Sequence, residues 1–207
     1  AKGIYEQCSS MLQESTYSTQ GLIQKMNVRV ICTTDDPIDN LEWHQKIKDS
    51  NFPVKVFPAF RPDKAMEVSN TAVFALYVKK VEEVTNTSIS NLSDYLVALK
   101  NRHDFFATMG CNVSDHGLEE IYAEDFTGSE IDAIFNKIHG GKELNDAEQK
   151  KFKSAMLIHF AEWDWEKGWV QQFHIGAIRN NNPRLFRDLG PDTGFDSVGD
   201  HNYAKSL

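Results

Sequence analysis

The sequence has no cluster of basic residues that could follow a nucleic-acid backbone. Its 22 Lys and Arg residues are outnumbered by 30 Asp and Glu residues, which gives a formal net charge of −8. Phosphate binding depends on Lys and Arg gathered on one face, so the composition argues against a nucleic-acid partner. The chain also contains no apolar stretch near the ~20 residues that cross a membrane, and nothing that resembles a signal peptide. We therefore expect a cytoplasmic protein with no membrane partner.

Cysteine is scarce, and Cys8, Cys32 and Cys111 are widely spaced. They form no Cys-x-x-Cys pair, and the histidines form no His-x-His or His-x-x-x-His pair, so the chain has no self-contained metal motif. This cysteine usage fits a reducing compartment, and we expect Cys32 and Cys111 to be small buried residues. Glycine-rich nucleotide loops and the Gly-x-Ser-x-Gly elbow are also absent, which argues against nucleotide binding and serine hydrolase chemistry.

What the sequence does contain is an alternation of short apolar runs and helical patterns. This alternation predicts an α/β protein with a parallel sheet. Two segments, 63–110 and 118–167, are too long for single crossover helices and are expected to be helical insertions. Asp36 followed by Pro37 predicts that a helix begins directly after the first strand. The predicted strands are residues 28–33, 54–57, 111–114 and 169–175.

Ionisable and polar residues follow each predicted strand, at the end where the strand finishes. In (β/α) barrels the active site is built at the carboxyl ends of the strands. The repetition therefore suggests one shared site. In chain order the clusters are Asp35 with Asp36, then Arg61, then Asp115 with His116, and finally residues 174–182.

Three of these residues admit a structural explanation as well as a functional one. For Asp36, the structural explanation is that it caps a helix and has no catalytic role. Arg61 can pair with Asp63 at the surface. His174 can point into a barrel or be a satisfied histidine of the core. These alternatives stay open on the sequence alone.

The remaining clusters point more directly to chemistry. Asp115 beside His116 can tune a general base, because the pKa of histidine lies closest to neutrality. Arg179 is followed by three asparagines. A guanidinium can bind a carboxylate through two parallel hydrogen bonds, and neutral amides can bind hydroxyls. That combination suits a sugar acid.

At these residues the sequence closely resembles the uronate isomerase family, also called glucuronate isomerase, of the amidohydrolase-type barrel superfamily. The resemblance covers essentially the whole chain and implies one domain, 1–207, that is a partial (β/α)8 TIM-type barrel with helical insertions between strands. It also implies interconversion of D-glucuronate with D-fructuronate, and of D-galacturonate with D-tagaturonate, by proton transfer between C2 and C1. The matching stretches are residues 30–39, 55–64, 110–117, 173–182 and 189–200.

The resemblance implies a role for particular residues of this sequence. His116 and Asp36 are candidate catalytic residues, with His116 as acid, base or polarising group. The candidates for substrate binding are Arg61, His174, Arg179 and Asn181. A His116→Asn change is then expected to reduce turnover of the intact enzyme and leave its fold unchanged.

The chain also departs from the family pattern. Members have a His-x-His metal pair at the first barrel strand and an Asp-x-Arg element near the last, and neither occurs here. Both ends look cut, so we expect a C-terminal-side fragment that is inactive alone. The ligand set for the family's divalent metal, usually zinc, is then incomplete, and association with the missing half of the barrel or a homo-oligomer is expected. The alternatives are a metal-dependent hydrolase on the same barrel and a noncatalytic fragment.

Overall fold

The computed structural model describes residues 2–201 and 203–207. Their main sheet has four parallel strands that are adjacent in chain order, β1-β2-β3-β4. Consecutive strands of a (β/α) barrel have this arrangement, and the predicted α/β class is confirmed. A separate antiparallel pair, β5 and β6, lies near the C-terminus. The strands are β1 Val30–Asp35, β2 Lys55–Phe60, β3 Val113–Leu118, β4 Val170–Ile175, β5 Ala177–Ile178 and β6 Ser197–Val198.

Helices occupy both segments that the sequence marked as insertions. α4 and α5 lie between β2 and β3, and α6 and α7 lie between β3 and β4. Short 3₁₀ turns occur at Ser15–Tyr17 and Asp63–Met66. In the described residues, no helix is long and apolar enough to span a membrane. The α-helices are α1 Lys2–Met11, α2 Thr19–Lys25, α3 Glu42–Asp49, α4 Thr71–Thr85, α5 Leu92–Thr108, α6 Gly128–His139, α7 Asp146–Lys167 and α8 Pro183–Leu189.

The predicted strands are present, but three of them extend further than predicted toward the C-terminus. β1 ends at Asp35, β2 continues to Phe60, and β3 continues to Leu118. β3 is held in register with β4 along its whole length, from Val113 opposite Val170 to Leu118 opposite Ile175. Because the backbone ladder can continue through polar residues, the apolar run alone marks the strand ends poorly.

The prediction that a helix begins at Asp36 and Pro37 is wrong, because α3 begins at Glu42. Residues 36–40 form a turn in which the Asp39 amide donates to the Asp36 carbonyl at 2.8 Å. The carbonyl of Pro37, which a helix would pair with the Leu41 amide, accepts instead from Arg102 Nε at 2.6 Å. Leu41 itself has φ 56°, in the left-handed region, which no helix interior adopts.

The insertion helices pack against one face of the sheet and form the core. Phe60 of β2 is fully buried, and its ring meets those of Phe106 and Phe160 edge to face at 5.2 and 6.3 Å between centroids. Such aromatic contacts add to the free energy gained by burying the rings. We call this the helix-facing side of the sheet.

The other side of the sheet, which we call the open face, is uncovered in the outer strands. Val30 of β1 and Val170 of β4 are 51% and 66% exposed. Cys32 lies on the same face and is exposed, so the prediction that it is buried is wrong; Cys111 is buried as predicted. Side chains alternate between the two faces of a strand, so only half of the apolar run in β1 meets the helices.

Candidate functional site

A polar cleft of about 380 Å³ opens at the carboxyl end of the main sheet. It adjoins a larger cavity of about 560 Å³, and the two volumes share Arg61, Asp63, Lys64 and Arg179. The structure therefore brings Asp36, Arg61 and Arg179 together, as the position of each after a strand predicts. We call this volume the polar cleft, and its lining residues are Thr34, Asp36, Arg61, Asp63, Lys64, Arg179 and Asp192.

Arg61 is held across the ends of two strands. It directly follows β2, and its amide donates to the Asp35 carbonyl of β1 at 2.9 Å. Its Nε donates to Asp63 Oδ2 at 2.8 Å, and its Nη1 lies 3.6 Å from Asp115 Oδ2 of β3. The pairing with Asp63 does occur, but the arginine is half-buried in the cleft rather than on the surface. A Cβ on Gly117 would overlap Arg61 Nη2, so this glycine makes room for the guanidinium.

Two carboxylates flank this arginine: Asp63, which the sequence marked only as a surface partner of Arg61, and Asp115, which the sequence grouped with His116. Asp63 accepts from the Gly117 amide through both oxygens, at 3.2 and 3.1 Å. Asp115 is 4% exposed and accepts from Gln172 Nε2 at 2.7 Å. For Asp63, the sequence signal was its place two residues after Arg61, on the same turn.

Asp36 is fixed by contacts that do not cap a helix. Its Oδ1 accepts from the Tyr77 hydroxyl at 2.8 Å and from the Ile38 amide at 3.2 Å. Its Oδ2 lies 3.2 Å from Lys64 Nζ. Burial and the neighbouring Asp36 charge raise the pKa of Tyr77 well above its ordinary value, so the phenol stays protonated and remains a donor.

Arg179 and Asn181 belong to the segment that carries β5 and β6. Arg179 Nη1 donates to Asp196 Oδ2 at 2.6 Å, and the Asn180 amide donates to Asp196 Oδ1 at 2.9 Å. The backbone hydrogen bond and the guanidinium both lower the pKa of Asp196. Asn181 Nδ2 donates to Ser197 Oγ at 2.6 Å. Arg179 thus reaches the cleft, whereas Asn181 is turned toward β6.

His116 and Asp115 lie on opposite faces of β3. The His116 ring is fully buried on the helix-facing side, stacked on Phe160 at 5.8 Å between centroids. Its Nε2 lies 3.0 Å from Ser114 Oγ, and burial lowers its pKa. The sequence placed Asp115 and His116 in one catalytic pair. The strand instead separates them, because neighbouring side chains of a strand point to opposite faces.

His174 is opposite Gly117 in the register of β3 and β4, and its side chain is exposed. It therefore lies on the open face rather than in the core. Among the described residues, the lining of the polar cleft does not include His116, His174 or Asn181. Their roles in catalysis and substrate binding stay predictions.

A buried hydrogen-bond network lies behind β3. Ser114 Oγ donates to Asp164 Oδ2 of α7 at 2.5 Å, and His103 Nε2 of α5 lies 3.0 Å from Asp164 Oδ1. His103, Ser114 and Asp164 are each at most 3% exposed. The network joins β3 to two insertion helices, and its residues were not predicted as a unit.

The residues of the polar cleft do not by themselves fit a metal site. Across 2–201 and 203–207, no group of three or more His, Cys, Asp or Glu side chains is placed to hold an ion. A catalytic zinc usually needs three protein ligands. Asp36, Asp63 and Asp115 are instead engaged by Tyr77, Lys64, Arg61 and backbone amides.

Consecutive parallel strands with a polar cleft at their carboxyl ends are the arrangement found in part of a (β/α)8 barrel. The family model described as glucuronate isomerase matches residues 1–207, and the chain belongs to that family. Among curated relatives, the chain is 55% identical over 207 residues to a uronate isomerase of Bacteroides thetaiotaomicron. It is 50% identical over 208 aligned residues to one of Cellvibrio japonicus.

Solved structures agree with this assignment. The uronate isomerase of Thermotoga maritima is 36% identical with a TM-score of 0.86, over 91% of this chain and 42% of that one. The glucuronate isomerase of Caulobacter crescentus is 25% identical with a TM-score of 0.88, over 98% of this chain and 42% of that one. The chain covers 44% of the length of both curated relatives. The predicted partial barrel and the family resemblance are confirmed.

Proposed function

We propose that a complete barrel containing this chain is a uronate isomerase that interconverts D-glucuronate and D-fructuronate, and D-galacturonate and D-tagaturonate. The observation that carries the proposal is the convergence of Asp36, Arg61 and Arg179 in one polar cleft. The family match supports the reaction class. The same match disfavours the alternative of a hydrolase on this barrel.

The reaction needs one group that transfers protons and other groups that bind the substrate carboxylate and the oxygens near the reacting carbons. A base removes the proton from C2, the electron pair forms the C1–C2 double bond, and the C1 carbonyl oxygen takes up a proton to give an enediol. Return of a proton to C1, with loss of the O2 proton, gives the ketose. We assign the role of base to Asp36. Its Oδ1 accepts hydrogen bonds from Tyr77 and Ile38, whereas its Oδ2 points into the cleft beside Lys64, where it can reach a substrate proton.

The arginines suit the substrate carboxylate and hydroxyls. Arg179 donates Nη1 to Asp196, and its side chain is still 45% exposed, so the guanidinium can also reach a ligand. Arg61 is more enclosed, at 24% exposure, and is fixed by Asp63 and Asp115. We therefore assign the carboxylate to Arg179 and an oxygen near the reacting carbons to Arg61.

Completion of the barrel is part of the proposal. The part of the chain that the structure describes has no group of three or more His, Cys, Asp or Glu side chains placed to hold an ion, so a divalent metal such as zinc would need ligands from the rest of the barrel. We assign no step to it. We propose that the chain associates with that other part and that the 207 residues alone are inactive.

The test is a chimera. Residues 1–207 replace the matching segment of the Bacteroides thetaiotaomicron uronate isomerase, to which they are 55% identical; we call the product the completed barrel. With zinc or manganese added, we expect it to convert D-glucuronate to D-fructuronate, and the 207-residue chain alone to show no conversion. A folded but inactive completed barrel would refute the proposal. Conversion by the chain alone would refute the requirement for the rest of the barrel.

One substitution in the completed barrel tests the cleft itself. Arg61→Gln removes the guanidinium charge, and kcat/KM is expected to fall about tenfold or more, as for loss of a charged hydrogen-bond partner. The matched control is Arg187→Gln on α8, whose side chain is 74% exposed; its kcat/KM should stay within about twofold of the wild type. Equal effects of the two changes would remove Arg61 from the site.

A further inference from the structure

The turn at residues 36–40 is held from outside by the first helical insertion. Its own backbone hydrogen bond joins Asp39 to Asp36. Two further carbonyls of the turn accept from Arg102 of α5, that of Pro37 from Nε at 2.6 Å and that of Asp39 from Nη2 at 2.7 Å. Arg102 is 9% exposed, so these carbonyls accept charge-assisted hydrogen bonds from a nearly buried cation.

Tyr77 of α4 makes the corresponding contact to the side chain of Asp36. It is 5% exposed and donates to Oδ1 at 2.8 Å. The Ile38 amide points at the same oxygen, at 3.2 Å. With Oδ1 engaged by two donors, rotation of the carboxylate would break both hydrogen bonds, so Oδ2 is kept toward Lys64 and the cleft.

We propose that Tyr77 is a positioning residue for the isomerase site, because its hydroxyl fixes the Asp36 carboxylate with Oδ2 toward the substrate. This inference rests on the proposed function. Tyr77 lies outside the lining of the polar cleft and acts only through Asp36. The first insertion thereby contributes to catalysis as well as to the core: Arg102 holds the backbone of the turn, and Tyr77 orients its carboxylate.

The experiment compares two single-hydroxyl deletions in the completed barrel. Tyr77→Phe removes the donor to Asp36 and keeps the ring. Ser154→Ala on α7 removes a buried hydroxyl that accepts from the Glu124 amide at 2.9 Å and donates to the Lys150 carbonyl at 2.8 Å. We expect Tyr77→Phe to lower kcat about tenfold with KM changed less than about twofold. Ser154→Ala should leave both unchanged.

A double-mutant cycle separates positioning from a purely structural role. In an Asp36→Asn background, adding Tyr77→Phe should cost less than about twofold further in kcat, because the carboxylate it orients is gone. A further tenfold loss of kcat in the Asp36→Asn background would overturn the inference. If the unsubstituted completed barrel is active, equal effects of the single changes Tyr77→Phe and Ser154→Ala would overturn it as well. An inactive wild-type completed barrel would overturn the proposed function and, with it, this inference.

Discussion

The two faces of β3 have opposite surroundings, although their residues alternate along one strand. Ser114 and His116 face the helices and are fully buried. Asp115 and Gly117 lie on the open face, next to Arg61 at the carboxyl end of the sheet. For β3, we call the helix-facing side the buried face and the open face the cleft face. Asp115 and His116 are adjacent in the sequence and look like one motif, but as neighbours in a strand they point to opposite faces. The buried face holds the strand in place, and the cleft face holds Arg61, whose guanidinium lines the cleft.

The difference predicts that changes on the two faces disturb different properties. On the buried face, each polar group gave up its hydrogen bonds to water during folding and formed hydrogen bonds to a few protein groups. Removal of one of those groups therefore leaves a buried donor or acceptor without a partner. On the cleft face, Asp115 and Gly117 adjoin Arg61, which lines a cleft that a ligand can enter. We expect substitutions on the buried face of β3 to lower the free energy of unfolding and substitutions on its cleft face to lower kcat/KM.

The largest expected effect comes from the buried face. Asp164→Ala leaves Ser114 and His103 without their shared acceptor, and we expect the free energy of unfolding to fall by about 3 kcal/mol. Urea denaturation of the completed barrel measures it. The control is Asp104→Ala, whose side chain is 44% exposed in its ion pairs with Lys100 and Lys167; exposed pairs contribute less than about 1 kcal/mol. Equal losses would contradict the comparison.

Much of the architecture could be predicted from sequence, and the reason is periodicity. Apolar runs marked the four main strands, and their ends placed Asp36, Arg61 and Arg179 in one cleft. The face of His116 could not be predicted, because β3 continues beyond its apolar run and one residue of phase exchanges the two faces. Tyr77 and Arg102 escaped prediction because they contact the turn across 41 and 65 residues of sequence, and no local pattern records such contacts.

The next effect tests the cleft face of the same strand. In Gly117→Ala the new methyl group would overlap Arg61 Nη2 and lie 3.0 Å from Asp63 Oδ2. Arg61 can move away, so we expect stability to change by less than about 1 kcal/mol, whereas kcat/KM falls about tenfold, like that of Arg61→Gln. Steady-state kinetics and thermal unfolding of the completed barrel give both values.

A matched glycine provides the control for that substitution. Gly128 begins α6, and a Cβ there meets no atom within 4 Å. Gly128→Ala should leave kcat/KM unchanged and the stability unchanged or slightly higher, since alanine favours a helix. A Gly117→Ala variant that lost stability but kept its activity would place Gly117 with the buried face.

The smallest effect is a pH dependence that originates behind β3. Burial lowers the pKa of His116 below its ordinary value of 6.5, so the unfolded chain binds a proton near that pH whereas the folded protein does not. Stability is therefore lost as the pH falls below about 6.5, by at most about 1.4 kcal/mol per pH unit for one proton. His116→Asn should reduce that slope between pH 7 and pH 5, measured by urea denaturation. An unchanged slope would contradict the conclusion that the His116 ring is buried and neutral. The turnover of the same folded variant tests the catalytic role that the sequence predicts for His116.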